Sequence, residues 1–264
     1  MVVAPAPAGQ GLVLRAGSPS SAPLPMSLAH AVPAARRTLL RWGRAEAGTV
    51  EHLLAACVGL GIWDAQLILD GPELPALDGS ATGYAEALWE ASGPSSVVAP
   101  LWRVVRPFAW GEAEAGCRFE PASGCRATCE IAFAEPTIGR QRAEHDLSKE
   151  GAARRFRREL APARTFGFAC EAEALRRQGL ARGASLENAV VFGANGPLNP
   201  DGLRFPDEPV RHKLVDLLGD LALLGGPLQG HVGAFRASHR LVQESLRRAL
   251  QEGAVVRVAG GTPG

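Results

Sequence analysis

The segment "VRHKLVDLLGDLALLG" (residues 210–225) constrains the fold more tightly than any other part of the chain. Leu214, Leu217, Leu218 and Leu221 recur at helical spacing and form one apolar stripe. His212, Asp216 and Asp220 recur every four residues, so at 3.6 residues per turn they share a flank roughly opposite the leucines. A helix whose leucines require a core must therefore aim an imidazole and two carboxylates elsewhere. A solvated flank and a metal site are the two readings that periodicity leaves open.

A chain of 264 residues has room for one large or two small domains. Its 46% hydrophobic and 21% charged residues are those of an ordinary globular protein. A formal net charge of +1 argues against a dedicated nucleic-acid binder, and the basic runs at 153–158 ("ARRFRR") and 247–248 read as solvated helix faces. No stretch approaches the ~20 apolar residues of a membrane span. The N-terminus has no basic residue before Arg15 and no sustained apolar run, so it does not read as a secretory signal, and a cytoplasmic location is expected. Five cysteines do not make a disulfide framework in a chain this long. In "CRATCEIAF", Cys125, Ala127, Cys129, Ile131 and Phe133 alternate with Arg126, Thr128 and Glu130. That is the pattern of a half-buried strand, in which cysteines behave as small hydrophobes rather than zinc ligands.

Along the chain, residues 1–35 are rich in Ala, Pro, Gly and Ser, with one strand candidate, "GLVLR". "GTVEHLLAACVGLG" predicts a helix with Thr49 as N-cap and Gly59 and Gly61 as its stop. "WDAQLILDG" predicts a strand and "GYAEALWEASG" a helix; the turn formers of "GPSSVVAP" (93–100) predict a linker. Beyond it, "WRVVRPFAW", "GCRFEPA" and "CRATCEIAF" suggest an antiparallel meander, followed by a basic helix over about 150–159. "CEAEALRRQGL" predicts a helix, "ENAVVFG" and "GHVGAFRA" strands, and "HRLVQESLRRAL" a final helix introduced by Ser238. The expected architecture is α+β: two two-layer sandwich domains, 1–97 and 101–264, each with one sheet covered by helices.

Of six histidines, His30, His145 and His231 have no obvious partner. His212 and Asp216 lie one helical turn apart, close enough to chelate one cation, although a surface pair has the same spacing. His52 follows Glu51 in a helix's first turn, where it also fits a satisfied buried histidine with the acid favouring the positive helix end. His239 also fits a plain capping-region residue after Ser238. Two histidines and one aspartate nevertheless supply three zinc ligands with a fourth position open, the count of a catalytic site. An adjacent glutamate can take a proton from water, and a further histidine can protonate a leaving amine. The residues alone carry the reading as far as a hydrolytic zinc site.

"TVEHLLAACVGLGI", "ELPALDGSA", "ARTFGF", "GASLENAVVFG", "LNPDGLRFPDE" and "VRHKLVDLLGDLALLG" strongly resemble the UDP-3-O-acyl-N-acetylglucosamine deacetylase family, in its order and with close to its spacing. The resemblance runs from about Pro5 to about Leu250. It implies two α/β-sandwich domains facing each other across an active site, and a zinc amidase of lipid A synthesis that removes acetate from a UDP-linked acylated glucosamine. It implies His52, His212 and Asp216 as Zn2+ ligands, Glu51 as general base and His239 as general acid oriented by Asp220. It further implies Thr165 as a donor to the oxyanion, Lys213 near the substrate's diphosphate and Phe166 in the substrate cleft. The implied partner is this small molecule; a monomer is expected, and charge and hydropathy predict neither a nucleic-acid partner nor a membrane span. His239 sits between opposed influences: a helix N-terminus lowers its pKa, a neighbouring Asp220 raises it.

The sequence departs from the family at several points. The family's first strand and Gly-x-Gly-Leu-His loop have no counterpart, and "GQGL" carries Val13 where that histidine would stand. An incomplete first sheet is therefore expected, and a truncated paralogue that binds UDP-sugar or lipid with little turnover is the competing reading. Ser238 stands for the family's Gly, Ala184 for a usual second glycine, and Pro206 and Pro209 precede or enter the helix of residues 210–225. Pro209 is compatible with a first helical turn.

Overall fold

The computed structural model describes residues 1–91, 99–172, 177, 183 and 185–258. The first half contains β1 (Val2–Pro5), β2 (Leu12–Ala16), β3 (Leu24–Pro25), β4 (Ala31–Val32), β5 (Leu39–Trp42), β6 (Ala45–Gly48), α1 (Glu51–Leu60), β7 (Ala65–Leu69) and α2 (Thr82–Ala91). The second contains β8 (Leu101–Val104), β9 (Phe108–Glu112), β10 (Ala115–Glu120), β11 (Cys125–Ala132), β12 (Arg140–Asp146), α3 (Ala152–Arg155), a π-helical turn (Phe156–Leu160), β13 (Phe166–Phe168), β14 (Val190–Gly193), β15 (Gly196–Pro197), α4 (Glu208–Ala222), β16 (Leu228–Phe235), α5 (His239–Gln251) and β17 (Val255–Val258). The architecture is α+β, as the alternation of strand and helix patterns predicts.

The first sheet has the order β1-β7-β2-β3, with β2 parallel and β1 antiparallel to β7. A separate three-stranded meander, β4-β5-β6, leads into α1. Only β2 of these first six strands stands out in the sequence, because the others span no more than four residues each. The principal sheet of the second half runs β12-β11-β16-β10-β9, and β8 joins it through β16 and carries β17. The expected meander is therefore corrected: β10 and β11 do not pair with each other. β16, more than a hundred residues on, lies between them, antiparallel to β10 and parallel to β11. "WRVVRPFAW" also forms two strands rather than one, broken at 105–107, where Pro107 lacks a ladder donor.

The alternation along β11 holds in part: Ala127, Cys129 and Ile131 are buried and Arg126 is exposed, but Thr128, expected on the polar side, is buried as well; all five cysteines are free. Thr49 is not the N-cap of α1. Its φ of 58° puts it in a left-handed turn, its hydroxyl donates to Glu73 Oε1, and the cap position falls to Val50. Gly61, also left-handed, ends the helix as expected, whereas Gly59, the other expected stop, lies inside it. Ser238 does cap α5, its hydroxyl accepting from Leu241 N at 3.3 Å. The linker expected over 93–100 lies mostly, and the helix expected at "CEAEALRRQGL" largely, outside the described residues.

Each half sets helices against one face of its sheet, and the helices meet in the middle, α1 against α4. One apolar cluster is continuous from Leu12 and Leu14 through Leu53, Leu54, Leu214 and Leu217 to Leu246 and Val255. Two glycines allow the close approach. A Cβ on Gly219 of α4 would lie 2.2 Å from the Glu51 carbonyl oxygen, and one on Gly59 of α1 would lie 2.3 Å from the Phe156 ring. No side chain fits either gap, so these positions fix how deeply α1 seats. Among the described residues, no helix is long and apolar enough to cross a membrane.

Candidate metal and acid–base centre

The flank of α4 opposite its leucine stripe is not solvated. His212, Asp216 and Asp220 are buried, and that side of α4 faces α1. Helix α1 is itself buried from Glu51 to Gly59, which brings Glu51 and His52 at its N-terminus to the same place. His239, the first residue of α5, completes the group and is buried as well. Six of the residues singled out in the sequence thus converge where three helices meet.

His52, His212 and Asp216 each offer one ligand atom, all within 4.8 Å of one another. Asp216 Oδ1 lies 3.4 Å from His212 Nε2 and 3.9 Å from His52 Nε2. His212 Nδ1 lies 3.0 Å from the Ala163 carbonyl, which can only accept, so Nδ1 carries the proton. Burial holds the His212 pKa below its ordinary value despite Asp216, and the ring is neutral. Its bare Nε2 lone pair therefore faces a carboxylate lone pair. Two acceptors aimed at each other in a buried site repel unless a cation lies between them, and a metal ion held by His52, His212 and Asp216 would satisfy both. Burial and His212 push His52 down to about 3, so this ring too is neutral and able to ligate. Asp216 remains ionised. Burial alone would raise its pKa, but Lys213, His212 and His239 together bring it well below the usual carboxylate range.

The loop that orients His212 is held by a buried ion pair. Arg164 Nε donates to Glu208 Oε1 at 2.9 Å and its second nitrogen to Oε2 at 3.1 Å, while the Arg164 and Arg204 main-chain N–H groups donate to the same carboxylate. Burial would raise the Glu208 pKa; the Arg164 bonds overcome it and hold the group ionised. Glu208 opens α4, with Pro209 in its first turn, so this fork fastens residues 163–165 to the helix start. Thr165 is placed by its backbone: its N–H donates to Gly79 O and its carbonyl accepts from Val190 N, both at 2.8 Å. Among the described residues, no hydrogen bond joins its hydroxyl to the cluster.

The acid–base pair lies beside the ligand set. His239 Nδ1 donates to Asp220 Oδ2 at 2.8 Å, and Nε2 points inward, 3.9 Å from Glu51 Oε1 and 3.7 Å from Asp216 Oδ2. Burial opposes a charge on His239, yet Asp220 and Asp216 push its pKa up to about 9. Burial raises Glu51 to about 7, with His239 opposing and Asp216 adding to the shift. The pair is thus a base that titrates near neutrality beside an acid that stays protonated above it.

Two members of this network lie outside the candidates that the sequence singles out. Thr38, just before β5, is fully buried; its hydroxyl donates to Asp220 Oδ1 at 2.6 Å and its N–H to Glu51 Oε2 at 3.0 Å. Gln243 Nε2 reaches Asp220 Oδ1 at 2.9 Å and Thr38 Oγ1 at 3.0 Å. Gln243 lies four residues after His239 on α5, a spacing that could have flagged it; "RRTLL" around Thr38 offers no such cue.

Lys213 lies at the rim of the cluster and donates to Asp216 Oδ2 at 2.8 Å, leaving Oδ1 to the histidines. Burial would lower its pKa, but Asp216 more than compensates, and the amine stays charged. Phe166 belongs to a half-buried group of rings, 5.6 Å from Phe133 and 6.2 Å from Phe192 between centroids.

Residues 1–251 match the UDP-3-O-acyl N-acetylglycosamine deacetylase (LpxC) family. A UDP-3-O-acyl-N-acetylglucosamine deacetylase of Myxococcus xanthus is 39% identical over 255 residues, 96% of this chain and 80% of the relative. The protein of that name from Trichormus variabilis is 39% identical over 252 residues, covering 94% of this chain and 89% of its own. The one from Brucella ovis is 42% identical over 212 residues, 77% of this chain and 71% of its own.

Proposed function

This chain belongs to the UDP-3-O-acyl N-acetylglycosamine deacetylase family, and from that premise and the buried centre we infer that it hydrolyses the N-acetyl group of UDP-3-O-acyl-N-acetylglucosamine in lipid A synthesis, with zinc as its metal. The observation that carries the reading is the pair of opposed lone pairs, His212 Nε2 and Asp216 Oδ1, held 3.4 Å apart beside His52 and away from water. In this reading His52, His212 and Asp216 hold the metal. When bound there, zinc supplies Lewis acidity, which acidifies water and polarises an amide carbonyl.

Glu51, anchored through Oε2, takes the proton of the attacking water with Oε1. The water oxygen bonds to the acetyl carbon, and the Thr165 hydroxyl helps stabilise the negative charge that develops on the carbonyl oxygen. The C–N bond then breaks, and His239 Nε2 delivers its proton to the departing amine, giving acetate and a free glucosamine nitrogen. The Asp220 bond fixes the other ring nitrogen as a donor throughout and stabilises the imidazolium. Lys213 and Phe166 belong to the substrate cleft, Lys213 toward the diphosphate. Residues 1–97 contribute Glu51 and His52 to this centre, and residues 101–264 the remaining ligands and the acid.

Purified protein is expected to hold about one zinc per chain, and to release acetate from the UDP-linked substrate. Glu51→Ala should keep the metal and lose the activity. A wild type that binds the substrate but releases no acetate would favour the paralogue reading, and full activity in Glu51→Ala would overturn the mechanism.

A further inference from the structure

We propose that Thr38 is the positioning residue that locks the general base and the general acid into one geometry, an assignment that rests on the reading above. Its two donors go to two different carboxylates: main-chain N–H to Glu51 Oε2 at 3.0 Å, side-chain O–H to Asp220 Oδ1 at 2.6 Å. Those carboxylates come from different halves of the chain, Glu51 from α1 and Asp220 from α4. Among the described residues, Thr38 is the one hydrogen-bonded to both.

The proton inventory leaves the hydroxyl no freedom. It has one hydrogen, and Asp220 cannot supply another, so it donates to Asp220. Its own lone pairs receive Gln243 Nε2 at 3.0 Å. His239 Nδ1 lies 3.3 Å from the same oxygen but 2.8 Å from Asp220 Oδ2, so the imidazole proton goes to the carboxylate. Asp220 then accepts from three sources, Thr38 and Gln243 on Oδ1 and His239 on Oδ2. With Oδ1 held twice, the carboxylate plane is fixed, and the imidazole that bonds Oδ2 can tilt only by breaking that bond. The same residue's backbone fixes Glu51 Oε2, leaving Oε1 at 3.9 Å from His239 Nε2. Base and acid are thus registered to each other through one short path.

A β-branched hydroxyl suits the task. Threonine has restricted χ1 freedom, and its methyl packs in a site where no part of the residue meets solvent. The backbone around it is tied as well: the Thr38 carbonyl accepts from Thr49 N at 2.9 Å, closing the meander onto the start of α1. Thr38 touches no reacting atom in this scheme, so its effect passes through Asp220 and Glu51.

The test compares Thr38→Val, which keeps shape and backbone donor but removes the hydroxyl, with Thr38→Ser, which restores the hydroxyl. Acetate release is measured with zinc content and thermal unfolding in parallel. Thr38→Val is expected to lower kcat about 10–100-fold with KM and metal content unchanged, the range typical when an outer partner of a catalytic group is lost. Thr38→Ser is expected to recover kcat to within about threefold. If Thr38→Val does not fold, Gln243→Met removes the donor on the other side of the same hydroxyl and is expected to lower kcat about 10-fold at constant KM. Unchanged kcat in whichever of these folds, or a serine variant no better than valine, overturns the inference while leaving the deacetylase reading intact. A wild type that releases no acetate overturns that reading, and this inference with it.

Discussion

Two clusters in this protein are built from the same three kinds of group. In one, Thr38, His239 and Asp220 are linked at 3.3 Å and 2.8 Å; in the other, on the outer face of the principal sheet, Thr128, His231 and Glu120 are linked at 2.8 Å and 3.3 Å. On those two contacts the clusters rank equally, although the first adds a direct hydroxyl–carboxylate bond, Thr38 to Asp220 at 2.6 Å. Burial separates them: the side chains of Asp220 and Glu120 are 1% and 57% exposed. Water screens the Glu120 carboxylate, so it adds little to its histidine beyond a surface contact. Asp220 is sealed between α4 and α5, and with Asp216 it drives His239 up to about 9. The buried cluster also has neighbours with chemistry to share, Glu51 and the His52-His212-Asp216 set, whereas beside the outer one lies Arg126, 3.5 Å from His231. A hydroxyl, an imidazole and a carboxylate in contact do not make a centre; exclusion of water and a second set of groups to act on do.

The sharpest way to break this contrast is to remove the acid or the base. Glu51→Ala and His239→Ala should each cut kcat by about 10³-fold, within the span of general acid–base catalysis, at near-normal zinc content. A pH profile of kcat/KM checks the same pair without mutation. Glu51 must be ionised, so activity is lost as pH falls through its pKa, about 7 without metal; His239 must be protonated, so activity is lost as pH rises through about 9. A bound dication favours the deprotonated forms and should move both limbs lower.

Asp220→Asn should cost about 10²-fold in kcat and bring the basic limb further down, because the carboxylate raises His239. Packing gives a third contrast. Gly219→Ala puts a Cβ where the Glu51 carbonyl lies and should cost about 1–3 kcal/mol, read as a lower Tm with reduced kcat. Gly233→Ala, on the outer sheet face where a Cβ meets nothing, should leave kcat alone and raise stability by about 0.4–1 kcal/mol. The smallest effect belongs to His231→Gln, expected to leave kcat within about twofold and stability within about 1 kcal/mol. A large loss of activity there would erase the distinction between the clusters.

The helices and their chemistry were legible because both depend on local spacing. His212, Asp216 and Asp220 repeat every four residues, and an α-helix converts that repeat into one flank whatever surrounds it. Whether that flank met water or another helix was not legible, since it depends on α1 arriving across the Gly219 gap. Thr38 escaped notice for a related reason: its partners Glu51 and Asp220 are 13 and 182 residues away, and no periodicity joins them. The expected meander failed on the same ground. β10 and β11 look like consecutive strands of a hairpin, and nothing in either announces that β16 will lie between them. The Thr49 cap failed locally, because a left-handed turn took the hydroxyl to Glu73 instead.

That late strand orders events during synthesis. With β16 at the centre of its sheet, a nascent chain that has not yet emerged past residue 235 has two strand pairs with unsatisfied inner edges and no means of closing them. The second half therefore cannot fold piece by piece as it leaves the ribosome; its sheet closes in one late, long-range step. The acid follows only four residues after β16, at His239, so the centre gains its proton donor at nearly the moment the sheet becomes whole. Partial chains of this protein would be exposed to proteolysis and edge-to-edge association before they were exposed to substrate.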